Sequence, residues 1–439
     1  MARIFLIDAT AVPASSPFLA QPVGLLSLAA VLRRGGHEVA VHDCKLEILT
    51  LPSKLAEFEP DFVGIRTLSV FLNVLSYVAE VVHTVVPEAQ VIVGGPHASL
   101  DPGDAIRRSG ASAAVLGEGE VTIVELLAAL QERGPLAEVK GIAYAKNGGV
   151  ETTAPRAPIK DLDSLPLPAY DLVPVEQYFA LHHGGTAPGG RTLTMFTSRG
   201  CPFACAFCHN LFGRKFRARS AESVVAELTY LQRRYGVEEF ELHDDAFNTN
   251  RKRVLDICAG LQRAGSKALL AFPNGLRGDS LDREQLEQLR KAGTHHMALS
   301  PETATDRLQR LIGKRMDLDK LMQAAGDCDS LGIFTVGYFM LGFPTETEEE
   351  MNATVEWACK SPLHTASFFA VNPFPGTRLA EMARAAGKPV ADSFEGYFGT
   401  DVNVSAVEDQ RFRRLWHGAY RRFYLSPKRI AAILRSVPN

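Results

Sequence analysis

Three cysteines fall within eight residues, in Cys201-Pro-Phe-Ala-Cys205-Ala-Phe-Cys208, a C-x3-C-x2-C spacing. Soft thiolates on one short segment suit a metal. A structural zinc site needs a fourth ligand, usually from a second C-x2-C or a histidine pair at set spacing, and neither follows. His209 is next in sequence, and an adjacent residue points badly for a fourth ligand. Three thiolates also hold three irons of a 4Fe-4S cluster and leave the fourth iron open to a substrate. A buried trio of thiols stands as the third alternative.

What must position these cysteines can be read from the flanks. Residues 192–197 form a β-rich run, closed by a Ser198-Arg199-Gly200 turn, and a helix is expected over 221–235. The cysteines then lie on a loop leaving the carboxyl end of a strand, where α/β folds place their chemistry. Strand patterns recur at 239–243, 268–272, 296–300, 334–341 and 365–371, with helical patterns at 251–263, 281–292, 317–331 and 347–360. With the strand before the cysteines this makes six βα units, an incomplete barrel over about 191–385. The strand ends carry His243-Asp244-Asp245, Ser300-Pro301-Glu302, Gly342-Phe343-Pro344 and Asn372-Pro-Phe-Pro375. Each also reads as ordinary turn and helix-cap chemistry. Arg199, His209, Arg217 and Arg277 are weaker candidates for binding a carboxylate.

Residues 1–145 alternate in the same way, with strands at 3–7, 39–42, 62–66, 91–93 and 113–116 and helices at 24–32, 71–85 and 120–133. Short, almost wholly apolar strands predict a doubly wound parallel sheet of Rossmann-like type. Its strand ends read Thr67-Leu68-Ser69, Gly94-Gly95-Pro96-His97 and Gly117-Glu118-Gly119-Glu120. Glycines there let a bulky ligand approach the backbone. No G-x-G-x-x-G follows the first strand, so a dinucleotide is not expected. His97 either lines the pocket or bonds to backbone.

Between the two lies a linker, 146–190, entered through a hairpin with an Asn147-Gly148 turn. Its proline-rich stretch 165–171 is expected to be stiff and extended, and His182-His183 to sit in a glycine-rich surface loop. The segment 386–439 begins irregular and aromatic over 392–398. Helices at 411–424 and 427–437 are expected to cover the open face of the barrel.

The 439 residues are 46% hydrophobic and 22% charged with a formal net charge of −3, an ordinary globular composition sized for two domains. No basic tract points to nucleic acid, and no apolar run reaches the length of a transmembrane segment. The apolar part of the N-terminus is too short for a signal peptide, so a cytoplasmic protein is expected. Cys44, Cys258, Cys328 and Cys359 show no framework spacing and read as reduced core residues.

The cysteine spacing, with Phe207 before the last cysteine, resembles the radical S-adenosylmethionine (SAM) superfamily. Pro22-x-Gly24-Leu-Leu, Gly35-Gly-His37, Gly94-Gly-Pro-His97 and Gly117-Glu-Gly-Glu120 ahead of it resemble the cobalamin-binding radical SAM family. The tail resembles that of magnesium-protoporphyrin cyclase-like members. The resemblance implies that Cys201, Cys205 and Cys208 hold a 4Fe-4S cluster whose open iron chelates SAM. An electron then cleaves SAM to methionine and a 5′-deoxyadenosyl radical. It implies SAM contacts from Phe207, His243, Asp244, Asp245, Ser300, Glu302, Gly342, Phe343 and Pro344. The amino group is expected near Asp244, the ribose near Glu302 and the adenine near Gly342-Phe343. The strand-end residues Thr67–Ser69, Gly94–His97 and Gly117–Glu120 are implied to hold cobalamin, which requires the carboxyl end of the sheet to face the barrel mouth. Other cobalamin modules carry a D-x-H-x-x-G whose histidine ligates cobalt; here the first strand runs into Asp8-Ala-Thr-Ala-Val-Pro13, with no such ligand.

The implied reaction is methylation of an unactivated carbon of a small molecule. The alternatives are a non-methylating oxidative cyclisation, rearrangement or hydroxylation and, in another class, a non-catalytic corrinoid or cluster carrier. A flavodoxin or ferredoxin is the implied electron donor. Methylthiolation of RNA is disfavoured, because the first domain lacks the extra cysteine trio. Phe368, Phe369, Phe374 and Tyr397 either mark an apolar substrate or belong to the core.

Overall fold

Strand β1 (Arg3–Asp8) is apolar through its middle because both faces of its sheet are covered. Ile4 and Leu6 pack on Leu25, Ala29, Leu32 and Leu126. Phe5 and Ile7 pack on Leu55, Leu75, Val78 and Val82 on the opposite face. The computed structural model describes residues 1–12, 20–181, 190–390 and 403–436, so the His182-His183 pair, the stretch 392–398 and Tyr397 lie outside the described residues. The chain divides into two units, Met1–Thr194 with Leu211–Gly213, and Met195–Asn210 with Arg214–Asn439.

In the first unit β1 is joined in parallel by β2 (Glu38–Asp43), β3 (Phe62–Arg66), β4 (Gln90–Gly94) and β5 (Ala113–Val115). The sheet order is β2-β1-β3-β4-β5 and then β6 (Ile142–Lys146) and β7 (Gly149–Thr152). The hairpin expected at the start of the linker is thus part of the sheet, antiparallel to β5. The order reverses direction between β1 and β3, the switch point at which open α/β sheets take ligands. The stretch 165–171 is not a free spacer: Tyr170 is buried and donates its hydroxyl to the Thr194 carbonyl (2.6 Å), and the Ala169 amide donates to Leu26 O (3.1 Å). Prolines predict extension, but the apolar body of Tyr170 decides where the chain lies. Helices Leu51–Phe58 and Pro102–Ser109, not read from the sequence, both start on a proline in the first turn.

The second sheet has six strands in the order β15-β14-β13-β12-β11-β8. They are β8 (Thr192–Met195), at whose end the division falls, β11 (Glu239–Leu242), β12 (Leu269–Leu276), β13 (Thr294–Glu302), β14 (Phe334–Leu341) and β15 (Thr365–Ala370). The intervening β9 (Ser198–Arg199) and β10 (Arg217–Ala218) form a small antiparallel pair where a simple turn was expected. β12 and β13 run further than their apolar patterns, so Ser300 and Glu302 belong to a strand, not to the loop after it.

Strand β15 is an edge whose backbone would be left exposed. Three aromatic residues one turn apart on the Asp409–Tyr424 helix close it. Trp416 Nε1 donates to Phe368 O (2.6 Å), Tyr420 Oη bonds both N and O of Phe368 (3.0 Å each), and Tyr424 Oη bonds Ala366 N and O (3.0 and 2.8 Å). The C-terminal helix therefore lies along this edge, in the place of a further strand. Among the described residues no helix is long and apolar enough to cross a membrane. Cys44, Cys258 and Cys328 are buried free thiols, whereas Cys359 is only half-buried.

Candidate functional site

The cysteine loop is pinned through its backbone at one buried residue. Ala206 N donates to Ile312 O and Ala206 O accepts from Leu379 N, both at 2.8 Å. Its methyl group sits among Leu308, Ile312, Phe343, Leu379 and Val404. Gly313, in the left-handed region at φ +71°, crosses the loop so closely that a Cβ would lie 2.9 Å from Ala204 O. These supports come from short helices, Asp306–Leu311 and Arg378–Ala385, that the sequence patterns did not reveal.

The three thiols form one electrostatic group. Burial raises the pKa of all three; for Cys208, which also feels Cys205 and Cys201, it reaches about 11. Lys314 opposes the rise in each case. All three are free of disulfides. Among the described residues no set of three His, Cys, Asp or Glu side chains closes on a single ion. A donor set of three mutually interacting thiols on one loop fits a polynuclear iron–sulfur group.

Asp244 follows β11 and is tied by its side chain to the segment before the cysteines. It is buried and both carboxylate oxygens are engaged: Oδ1 accepts from Thr197 N (2.6 Å), and Oδ2 from Thr197 Oγ1 (2.5 Å) and Ser198 Oγ (2.6 Å). Through these bonds its side chain braces the chain entering the cysteine loop. Its neighbour Asp245 lies near the thiols. Burial raises its carboxyl, a backbone bond from Gly200 opposes that rise, and its charge is felt at Cys201 and Cys208. His243 turns its Nε2 to Glu241 Oε2 (3.2 Å), while its carbonyl accepts from Asn274 Nδ2 (2.6 Å).

From β13 comes Glu302, buried and at φ +65°, a left-handed conformation that costs a non-glycine residue about 1–3 kcal/mol. Lys314 Nζ lies 2.6 Å from its Oε1, and burial, the largest influence, raises its carboxyl against that partner. Lys314 also stands 6.0 Å from the ring centre of Phe207, which lies 6.4 Å from that of Phe343. Ser300 faces Gly275 of β12, where a Cβ would come within 2.2 Å of Ser300 Oγ. After β14, Gly342 N and Phe343 N both donate to Glu346 Oε2 (2.6 and 2.8 Å), and Pro344 follows in the same buried turn. The strand ends thus bring Asp245, Glu302 and Phe343 around the cysteine loop.

Glu241, Asn274, Gly275, Lys314 and Glu346 were missed by sequence reasoning. Only Glu346 carried a signal, as the acid closing Gly-Phe-Pro-Thr-Glu. Of the weaker candidates, Arg277 donates to Lys314 O and Arg315 O (2.9 and 3.0 Å) and stacks 4.2 Å over Phe203, while His209 Nε2 meets Pro375 O at 2.8 Å. Both brace the loop. Arg199 pairs through its strand with Arg217. Phe368 is core, fully buried against Phe339, Tyr420 and Phe423. Phe369 is half exposed on the other face of β15, edge-on to Tyr338 at 5.9 Å.

The first unit gathers its own strand ends. Asp8, buried at the end of β1, accepts from Lys45 Nζ (2.6 Å) and Arg66 Nη1 (2.7 Å). Those cations hold its carboxyl at about 2 although burial alone would raise it. Ser69 Oγ meets His97 Nδ1 and Asp104 Oδ2 meets His97 Nε2, both at 3.0 Å, so both nitrogens of this buried ring are engaged. Gly95, at φ +98°, sits so close to Thr67 that a Cβ would be 2.9 Å from its carbonyl. Leu68 lies between Thr67 and Ser69, half-buried, and Pro96 opens the short turn that carries His97. Gly117 N donates to Ser99 Oγ (2.9 Å), and a Cβ at Gly117 would meet nothing within 4 Å. Glu118 Oε2 accepts from Ile159 N (3.0 Å), and Gly119 and the buried Glu120 start the following helix. Open space at Gly117 beside glycine-lined turns fits a large planar ligand that takes no histidine from β1.

The chain matches the Radical SAM superfamily over residues 195–358 and the B12 binding domain over residues 9–127. An uncharacterised methyltransferase of Pyrococcus horikoshii is 32% identical over 415 residues, 93% of this chain and 88% of that protein. The anaerobic magnesium-protoporphyrin IX monomethyl ester cyclase of Cereibacter sphaeroides is 29% identical over 342 residues, 76% of this chain and 55% of that protein. Among solved structures, the radical SAM methyltransferase TsrM of Kitasatospora setae, with cobalamin and a 4Fe-4S cluster bound, superposes with a TM-score of 0.77 at 18% identity. That match covers 100% of this chain and 89% of TsrM and concerns the fold.

Proposed function

The chain belongs to the radical SAM superfamily, in the family whose members carry a B12-binding domain ahead of the barrel, and from that premise we propose that it methylates an unactivated carbon of a small molecule. The observation that carries this reading is the meeting of Asp245, the Glu302–Lys314 pair and Phe343 around three free thiols. When bound, the cluster and SAM supply hydrogen-atom abstraction and the corrinoid supplies a methyl group.

In this reading Cys201, Cys205 and Cys208 ligate the cluster. Asp245, as a carboxylate near the loop, attracts an ammonium group. Glu302, held by Lys314, accepts hydrogen bonds from a ribose diol. The turn Gly342-Phe343-Pro344 offers backbone and an aromatic face to adenine. Ser300 and His243 line the same strand ends. The turns at Thr67–Ser69, Gly94–His97 and Gly117–Glu120 cradle the corrin, with Asp8 tied to Lys45 and Arg66 where a histidine would otherwise project.

The substrate space is proposed on the sheet face opposite the helices. Phe339 packs on Trp357 and Phe368 on Tyr420, so their neighbours Tyr338 and Phe369 point the other way. Tyr338 feels the charge of Glu241, which holds His243. This mixture of aromatic and polar groups suits a substrate with both an apolar body and a hydrogen-bonding handle. A small reductant or an electron-donor protein starts each turnover.

The test is anaerobic product analysis with methyl-labelled SAM. Label in the product supports the proposal. Unlabelled product with release of 5′-deoxyadenosine replaces methylation by a ring closure or rearrangement, the reading favoured by the cyclase relative.

A further inference from the structure

Among the described residues, the six strands of the second sheet carry no Lys and no Arg. Their carboxylates are Glu239, Glu241 and Glu302. Glu302 meets Lys314. Glu239 is sealed: it is fully buried, and His295 Nε2 lies 2.6 Å from its Oε1. That pair spans β12, which separates β11 from β13, so both side chains leave the sheet on one face. Alternation along β11 puts Glu241 on the same face. Tyr338 of β14 reaches across that face to donate its hydroxyl to Pro273 O of β12 (3.0 Å), and it feels the charge of Glu241.

Glu241 is neither sealed nor paired with a fixed cation. Its side chain is 11% exposed, and its one ionic partner among the described residues is His243. An imidazole compensates a carboxylate only when it is protonated. His243 Nε2 meets Oε2 alone (3.2 Å), and Oε1 accepts from nothing among the described residues. Aromatic rings stand nearby: Phe196 lies edge-on to His243 (6.2 Å), and the half-exposed Phe369 lies edge-on to Tyr338. A largely buried carboxylate calls for an opposite charge, and aromatic rings favour a guest of that same sign. A sheet face without cations rejects an anion.

We propose that Glu241, with Tyr338 and Phe196 beside it, receives a protonated amino group of the substrate, so that the substrate is a small amine with an apolar body. His243, bonded through Nε2, positions the carboxylate. Holding the ammonium forms no covalent bond and moves no proton. The proposal rests on reading this sheet face as the substrate space.

The experiment uses three probes that share a ring and a two-carbon chain and differ in charge: 2-phenylethylamine, 2-phenylethanol and 3-phenylpropionate. Their affinities for the anaerobically reconstituted wild type and for Glu241→Gln are measured by equilibrium dialysis with SAM present. Wild type is expected to bind the amine at least tenfold more tightly than the alcohol, and the carboxylate more weakly than either. In Glu241→Gln the amine should lose at least tenfold and fall to the level of the alcohol, whose own affinity should move less than twofold. Amine binding that is undetected, or no tighter than that of the alcohol or the carboxylate, overturns the proposal, as does an unchanged preference in Glu241→Gln. The wild-type preference needs no variant and decides alone where Glu241→Gln fails to fold. Absence of 5′-deoxyadenosine from SAM with dithionite in the wild type would instead count against the enzymatic reading, and the probe affinities would still decide the site.

Discussion

Lys314 Nζ lies 2.6 Å from Glu302 Oε1, with the two side chains only 11% and 9% exposed, at a strand end that sequence spacing does not link to Lys314. Removing one partner of a buried pair leaves the other charge uncompensated, which costs about 3–5 kcal/mol. Lys314→Ala is expected to lower the unfolding free energy by about that amount at neutral pH. Burial already raises the Glu302 carboxyl, so it takes a proton as pH falls and the loss should shrink in acid. Glu302→Gln combined with Lys314→Met should recover most of the stability. Urea unfolding of the three variants across pH 5–8 measures this.

Asp244 is expected to matter for cluster content before it matters for stability. Asp244→Asn keeps the shape but cannot accept from Thr197 N, Thr197 Oγ1 and Ser198 Oγ together, so the entry to the cysteine loop loosens. The loss of charge-assisted bonds is worth about 1.5–3 kcal/mol. Iron and sulfide retained after anaerobic reconstitution should fall several-fold, while Cys205→Ser should remove SAM cleavage altogether. Full iron content in Asp244→Asn would show that the brace is dispensable.

Gly275 and Ser300 form a steric test of the pocket. At φ +91° a Cβ on residue 275 is strained and would sit 2.2 Å from Ser300 Oγ. Gly275→Ala should destabilise by about 1–3 kcal/mol through the backbone conformation alone, with a further loss from the clash. Adding Ser300→Ala should return only the clash component, so the double variant should lie between wild type and Gly275→Ala in melting temperature. SAM affinity, read by equilibrium dialysis, should follow the same order.

Glu346 predicts a pH dependence with a definite sign. Its carboxyl is buried at 0% exposure, and Oε1 has no partner among the described residues. Burial raises it to about 8, although Gly342 N and Phe343 N oppose the rise. A carboxyl raised in the folded state contributes stability that is complete below its ordinary pKa and lost as pH climbs through the folded value. Wild type should therefore lose stability relative to Glu346→Gln between about pH 5 and 8, by no more than about 1.4 kcal/mol per pH unit. Parallel stability curves for the two proteins would show that Glu346 stays ionised in the fold.

The two α/β units, the six strands of the second sheet and the cysteine loop were legible in the chain because apolar period and turn residues are local properties. Helix 221–235 and strand 334–341 fall on the boundaries read from the sequence, since Ser220 caps the one and an alternating burial pattern marks the other. Strand ends announced Glu302 and Gly342 as candidates, and absence of a histidine after β1 was plain. The short helices at 306–311 and 378–385 were not legible. Each is under three turns long and takes its stability from packing on Ala206, which no local pattern encodes.

Residue types and order alone therefore determined that a thiolate trio leaves the end of a β-strand and that a second α/β layer precedes it. Only the tertiary structure decided which neighbours serve it. It set Asp244 to bracing and left Asp245 near the thiols, brought Lys314 to Glu302, and laid Trp416, Tyr420 and Tyr424 along the edge of β15. The physical reason is that charge pairing and edge closure depend on distances between residues far apart in the chain. Those distances exist only once both partners are buried together.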